Sequence, residues 1–259
     1  MFSRLSGRLS TPSFSSQRIW SFLSVLALCA LLAACGQSTS TAPRTQPTPA
    51  LDAYGTPITF PTTAPQHIVS LSPSMSEILG ALHLDSRVIA VDYYTTSPAS
   101  FASKPRISTA SGTYNDEQIL ALKPDLVLSD GGLTKTDDGK LAALGLHVVD
   151  LANTSLTQVL QKILLVGRLT FTENTAQTLV NQLQQRIATI KAAVAGTAMP
   201  KVLLEVDDSV AGKPYVFGGG SFGDELLQNA NGSNIFHANS SGGGYPQVTD
   251  EAIIAANPQ

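Results

Sequence analysis

The stretch Phe217 to Leu227, FGGGSFGDELL, carries the residue types of two chemistries at once. Gly219-x-Ser221-x-Gly223 has the spacing of a nucleophile elbow, where a strand-to-helix turn exposes a serine hydroxyl. Gly218-x-Gly220-x-x-Gly223 has the spacing of a dinucleotide fingerprint, where glycines let a pyrophosphate approach a helix N-terminus. Neither finds its complement. A hydrolase of the elbow type needs an acid and then a histidine downstream. His237 follows only Asp224 and Glu225, which open the helix beside Ser221, and no histidine follows Asp250. A dinucleotide fold sets its fingerprint in the first βα turn, and this one comes late in the chain. The glycines therefore read as a turn from strand into helix, bordering a cleft. Hydrolysis through Ser221 stands as an alternative.

Metal chemistry has little to work with. His67, His83, His147 and His237 are scattered, without ligand spacing. His67 and His147 begin apolar runs, His83 ends a helical one, and only His237 is placed to reach a cleft. No resident metal or cofactor is expected. The formal charge is −3, with no basic block, so a nucleic-acid partner is not expected either.

One pattern occurs twice. DEQILALKP begins at Asp116 and DEAIIAANP at Asp250, both Asp-Glu-x-Ile-x-Ala-x-x-Pro. Each opens a helix, with Asn115 and Thr249 as N-caps and Glu117 and Glu251 as exposed acids of the first turn, where the helix dipole favours them.

The elements that must position these residues follow from periodicity. Apolar runs at 67–71, 87–92, 125–130 and 147–151 read as strands, separated by helical patterns at 76–84, 116–123 and around 140–144. Such alternation predicts βα units and a mostly parallel sheet, a first lobe over 66–154. A helical segment follows at 155–196. Its second part, 173–194, predicts one helix of about 33 Å at 1.5 Å per residue, long enough to join two lobes. From 197 the α/β text restarts with KVLLEVD, PYVF, GDELLQNA and NIF, a second lobe over 197–259. Pro124 ends the first repeated helix and a strand follows at once. Pro258 has no such strand after it, so the second lobe is expected to be incomplete.

Residues 1–34 form a separate text. Arg4, Arg8 and Arg18 precede an apolar run from Ile19 to Ala34, the layout of a secretory signal. Its end, LAAC at Leu32–Cys35, resembles the lipobox of bacterial lipoproteins, which implies cleavage before Cys35 and lipidation of its sulfur. A Ser/Thr/Pro-rich tether follows over 35–65. Loss of residues 1–34 takes three positive charges from the formal −3 and leaves −6. It also removes Cys29, so one cysteine remains and no disulfide can form.

From His67 onward the chain resembles the periplasmic binding proteins of the cobalamin and iron-siderophore type. HIVSLSPSMSEILGAL, DEQILALKPDLVL, PYVFGGGSFGDELL and YPQVTDEAIIAANP carry the likeness, in that order. The resemblance implies two Rossmann-like α/β lobes joined by a long helix, with a ligand cleft between them. It implies a cobalamin or other corrinoid, ferric siderophore or haem as ligand, and no catalysis. By motif position it places Tyr94, Tyr215 and Tyr245, with the loop Ser72, Pro73 and Ser74, around the ligand. It gives Glu117 and Glu251 to docking on the permease dimer of an ABC importer. The protein is then expected to be a monomer, anchored by lipid at the outer face of a bacterial cell membrane. A surface adhesin without a small ligand is the other alternative.

Overall fold

A computed structural model describes residues 50–131, 135–151 and 155–259 of the chain. Lobe one is built on four strands: β1 (Ile68–Ser70), β2 (Val88–Val91), β3 (Leu126–Ser129) and β4 (Val148–Asp150). They lie in the order β2-β1-β3-β4, and all three pairings are parallel. The strands are continuous apolar runs because both faces of the sheet are covered. Ile68, Val88, Leu126 and Leu128 enter one core with Met75, Leu79, Ile163 and Val166. Val69, Ala90 and Val127 enter the other with Ile119 and Leu141.

Helix α1 (Pro73–Ala81) starts directly after β1. The Ser72 hydroxyl accepts from the Met75 N–H at 3.2 Å, and Pro73 takes the first helical position, where a missing N–H costs nothing. Helices α2 (Asp116–Ala121) and α3 (Lys135–Ala143) cover the opposite face.

Helices α4 (Leu156–Thr170) and α5 (Glu173–Val194) form a hairpin turned at Phe171, whose φ of 60° is left-handed. Gly167 lets the two helices close: a Cβ there would lie 2.4 Å from the Ala176 side chain. The 22-residue α5 is the long helix expected from the pattern. Its fully buried residues, Ala176 and Val180, both lie in its first half, and Ile190 further along is 43% exposed. Helix α4 touches α1 of lobe one and α6 (Phe222–Asn229) of lobe two.

Lobe two holds β5 (Lys201–Val202), β6 (Glu205–Asp207), β7 (Tyr215–Val216), α6, β8 (Ser233–Asn234) and α7 (Asp250–Ala256). The apolar run 201–207 holds two short strands. Its first part pairs parallel with β8 and its last part antiparallel with β7. The parallel character predicted for both lobes is thus complete in lobe one and mixed in lobe two.

The expected tether 35–65 differs from the structure in its last part. Ile58 and Phe60 pack on the lobe-one core, and the Arg168 guanidinium lies 3.7 Å from the Phe60 ring centre. The signal segment and Cys35 lie outside the described residues. Among the described residues, no helix is long and apolar enough to cross a membrane.

Candidate functional site: a sheet edge and a glycine turn

Parallel strands present their carboxyl ends along one edge, and the loops leaving that edge are where open α/β sheets bind ligands. In lobe one these loops carry Ser72–Ser74 after β1, Tyr93–Thr95 after β2 and Asp130 after β3. Side-chain hydrogen bonds fix them to one another. The Ser76 hydroxyl donates to Ser70 Oγ at 2.8 Å and lies 3.1 Å from Thr95 Oγ1, which donates to Asp92 Oδ1 at 2.6 Å. Asp92 Oδ2 accepts the Tyr94 N–H at 3.0 Å. Ser74 donates to Asp130 Oδ2, and Lys162 Nζ lies 2.6 Å from Asp130 Oδ1.

The aromatic rings stand outside this network. Tyr94 is 54% exposed and Tyr93 48%. Their rings meet edge-on with centroids 5.1 Å apart, and the Tyr94 hydroxyl donates to the Ala110 carbonyl. Ser72 spends its hydroxyl on capping α1 and is buried, while Pro73 and Ser74 remain exposed. Tyr93, Asp130 and Lys162 were missed in the sequence. The signals were there: two adjacent tyrosines after a strand, and a lysine on the buried stripe of α4 between Val159 and Val166.

In lobe two, Tyr215 on β7 is 38% exposed, and the Phe217 and Tyr245 rings pack with centroids 5.5 Å apart. The next residues form the glycine turn. A Cβ on Gly218 would come within 2.0 Å of the Asn239 carbonyl oxygen, and one on Gly219 within 1.9 Å of that of His237. One on Gly223 would strike the Phe217 ring. Close packing of the chain on itself accounts for these glycines without a bound phosphate.

The Ser221 hydroxyl donates to Gly218 O at 2.7 Å and accepts from the Asp224 N–H at 3.2 Å, capping α6. Its side chain is buried. Asp224, also buried, accepts from Asn234 Nδ2 and Gln228 Nε2, each at 2.8 Å, and pairs with His237 Nδ1 at 2.9 Å. The acid–histidine pair thus faces an amide network, and Ser221 faces backbone. The elbow spacing is a helix start. Among the described residues, no three His, Cys, Asp or Glu side chains converge as metal ligands would.

Glu117 and Glu251 lie exposed in the first turns of α2 and α7. The caps fall where the sequence puts them: Asn115 accepts from the Gln118 N–H at 2.9 Å and Thr249 from the Ala252 N–H at 3.3 Å. Hydrogen bonds from its own backbone N–H and from the Thr249 hydroxyl hold the Glu251 carboxyl below the ordinary glutamate range.

This arrangement has counterparts among known proteins. The family described as periplasmic binding protein matches residues 68–259. The cobalamin-binding protein of Halobacterium salinarum is 28% identical over 211 residues, covering 80% of this chain and 56% of that protein. The chain therefore spans little more than half the length of that relative. The structure of the periplasmic vitamin B12 binding protein of Vibrio cholerae superposes with a TM-score of 0.65 at 25% identity, over 75% of this chain and 74% of that one. The periplasmic heme-binding protein of Roseiflexus sp. RS-1 superposes with a TM-score of 0.63 at 25% identity, over 74% of each chain. With a family of binding proteins matched across both lobes and their helical connection, the chain belongs to the periplasmic binding protein family.

Proposed function

We propose that this chain captures a metal chelate of the corrinoid, haem or ferric-siderophore kind outside the cytoplasm and delivers it to the permease dimer of an ABC importer. It performs no chemistry on its cargo. The observation that carries this reading is the exposed Tyr93–Tyr94 pair at the carboxyl edge of a parallel sheet. Half-exposed rings packed edge-on, with the Tyr94 hydroxyl bonded to the Ala110 carbonyl, offer flat contact area at little further entropic cost, which suits a macrocycle or a planar chelate. Tyr94, Ser72, Pro73 and Ser74 form the lobe-one side of the site, and Tyr215 and Tyr245 the lobe-two side. The hydroxyls of Thr109 and Ser111, 2.7 Å apart on the loop that Tyr94 bonds, add polar partners for the ligand's rim. Relatives that bind cobalamin, vitamin B12 and heme support the ligand class. Glu117 and Glu251 dock on the permease, and lipid on Cys35 holds the monomer at the outer face of the cell membrane.

The test is a titration of the full chain with cyanocobalamin, haemin and a ferric siderophore, followed by ligand absorbance. Saturable binding of one of them at a single site is expected. Binding of none would end the reading in favour of a surface protein without a small ligand.

A further inference from the structure

The ion pairs of the described residues include Lys140–Asp137, His237–Asp224 when the imidazole is protonated, and Lys162–Asp130. Of these, the last is buried on both sides, with side-chain exposures of 4% for Lys162 and 10% for Asp130. A buried ion pair is no stabiliser by default, because desolvation offsets most of the Coulomb attraction. Its place in the fold suggests what it does. Asp130 follows β3 at the ligand edge of the sheet, and Lys162 reaches it from α4. One carboxylate oxygen faces the ammonium at 2.6 Å, and the other accepts the Ser74 hydroxyl. Ser74 Oγ lies 3.4 Å from Ser72 Oγ, which caps α1. The chain of contacts Lys162–Asp130–Ser74–Ser72 therefore joins α4, the β3 loop and the first turn of α1.

We propose that Asp130 and Lys162 are positioning residues for ligand capture. They hold the Ser72–Ser74 loop in its binding geometry and tie it to the helical connection between the lobes. The proposal rests on the reading that this loop lines the ligand site. An apolar pair could fill the same space but could not orient the Ser74 hydroxyl. Helix α4 is gripped from lobe two as well, since Glu225 Oε2 accepts the Leu156 N–H at 2.6 Å. Leu156 stands six residues before Lys162, about 9 Å along the helix at 1.5 Å per residue. Any shift of α4 would thus be transmitted to the Ser72–Ser74 loop.

The test needs no known ligand. Amide hydrogen exchange is followed by mass spectrometry in the full chain, comparing residues 71–78 with residues 222–229 of lobe two. Lys162→Met keeps the apolar stem and strands the carboxylate. Exchange in 71–78 is expected to rise about tenfold while 222–229 is unchanged, because local opening reports local restraint. The double variant Asp130→Asn/Lys162→Met removes both charges and keeps an oxygen for Ser74, so exchange should return to within about twofold of the parent. Ser74→Ala, an exposed change that leaves the fold intact, should loosen 71–78 as Lys162→Met does. Unchanged exchange in 71–78, or equal acceleration throughout lobe one in the single and the double variants, would overturn the proposal.

A second arm uses cyanocobalamin, haemin and a ferric siderophore. For a probe that the parent protein binds, Lys162→Met should lose about tenfold in affinity and the double variant less than about threefold. Equal losses in both would make the pair a plain stability element. A parent that binds none of the three would defeat the ligand reading, and the exchange result alone would then decide whether the pair holds the loop.

Discussion

Ser221 donates to a backbone carbonyl and accepts from a backbone N–H, so its hydrogen-bonding capacity goes into holding a turn against a helix. Ser221→Ala should cost about 0.5–2 kcal/mol, the range for a lost N-cap, read as a lower urea midpoint. Ligand affinity should change little, and any ester hydrolysis that vanished with the hydroxyl would revive the catalytic reading. The tyrosines separate in the opposite way. Tyr94 is more than half exposed, so Tyr94→Ala should weaken binding by about 1–3 kcal/mol while stability moves less. Tyr245→Ala also strips Phe217 of its ring partner and should lower both. Titration and thermal melts on the two variants distinguish them, and unchanged affinity in Tyr94→Ala would remove that ring from the site.

Helix α4 is the element on which both lobes act. Lobe two supplies the Glu225 carboxylate to its N-terminus, where unpaired N–H groups and the helix dipole favour a negative charge. Ser155 completes the cap by accepting the Gln158 N–H at 3.2 Å. Glu225→Ala should destabilise the chain by about 1 kcal/mol and speed exchange at the Leu156 amide. Glu225→Gln keeps an oxygen acceptor and should recover most of that protection. Urea unfolding and exchange mass spectrometry on the pair test this. Equal protection of Leu156 in all three proteins would mean that the contact does not restrain the helix. The glycine turn belongs to the same scale. Carbonyl oxygens of His237 and Asn239, after β8, pack where side chains at 218 and 219 would stand, and the Phe217 ring packs where one at 223 would, which is why three glycines are needed there.

For the molecule as a whole, the docking role proposed for the two first-turn glutamates predicts an effect on delivery. If Glu117 and Glu251 grip the two halves of a permease, each contact raises the effective concentration of the other. Losing one should then cost far more than an isolated surface ion pair, normally worth about 0–1 kcal/mol. Glu117→Lys and Glu251→Lys should each sharply reduce ligand uptake by cells, while affinity of the purified protein stays within about twofold, because reversed charge repels a docking arginine. Normal uptake in the double variant would end the docking role. Glu251 adds a pH dependence. Its depressed carboxyl contributes stability above its unfolded value and loses that contribution as pH falls through the lower folded one. In the Thr249→Ala protein the titration midpoint of Glu251, followed by NMR, should therefore rise toward the ordinary glutamate value.

Much of this protein was legible in the residues themselves. The strands of lobe one, the span of α5, the caps Asn115 and Thr249, and the helix after the glycine turn all rest on local rules. Those rules are the 3.6-residue and continuous apolar patterns, a side chain that reaches its own helix end, and a proline where an N–H is not needed. Other features depended on partners far along the chain. Residues 201–207 break into two strands because β8 and β7 claim different parts of them. Ile58 and Phe60 leave the expected tether because the lobe-one core and Arg168 offer a surface for them. Asp130 and Lys162, 32 residues apart, meet only once the sheet and α4 have packed. A single-residue pattern records which face a side chain turns and how its own segment bends. Which distant charge, ring or carbonyl it meets there depends on how the segments pack, and only the tertiary structure decides that.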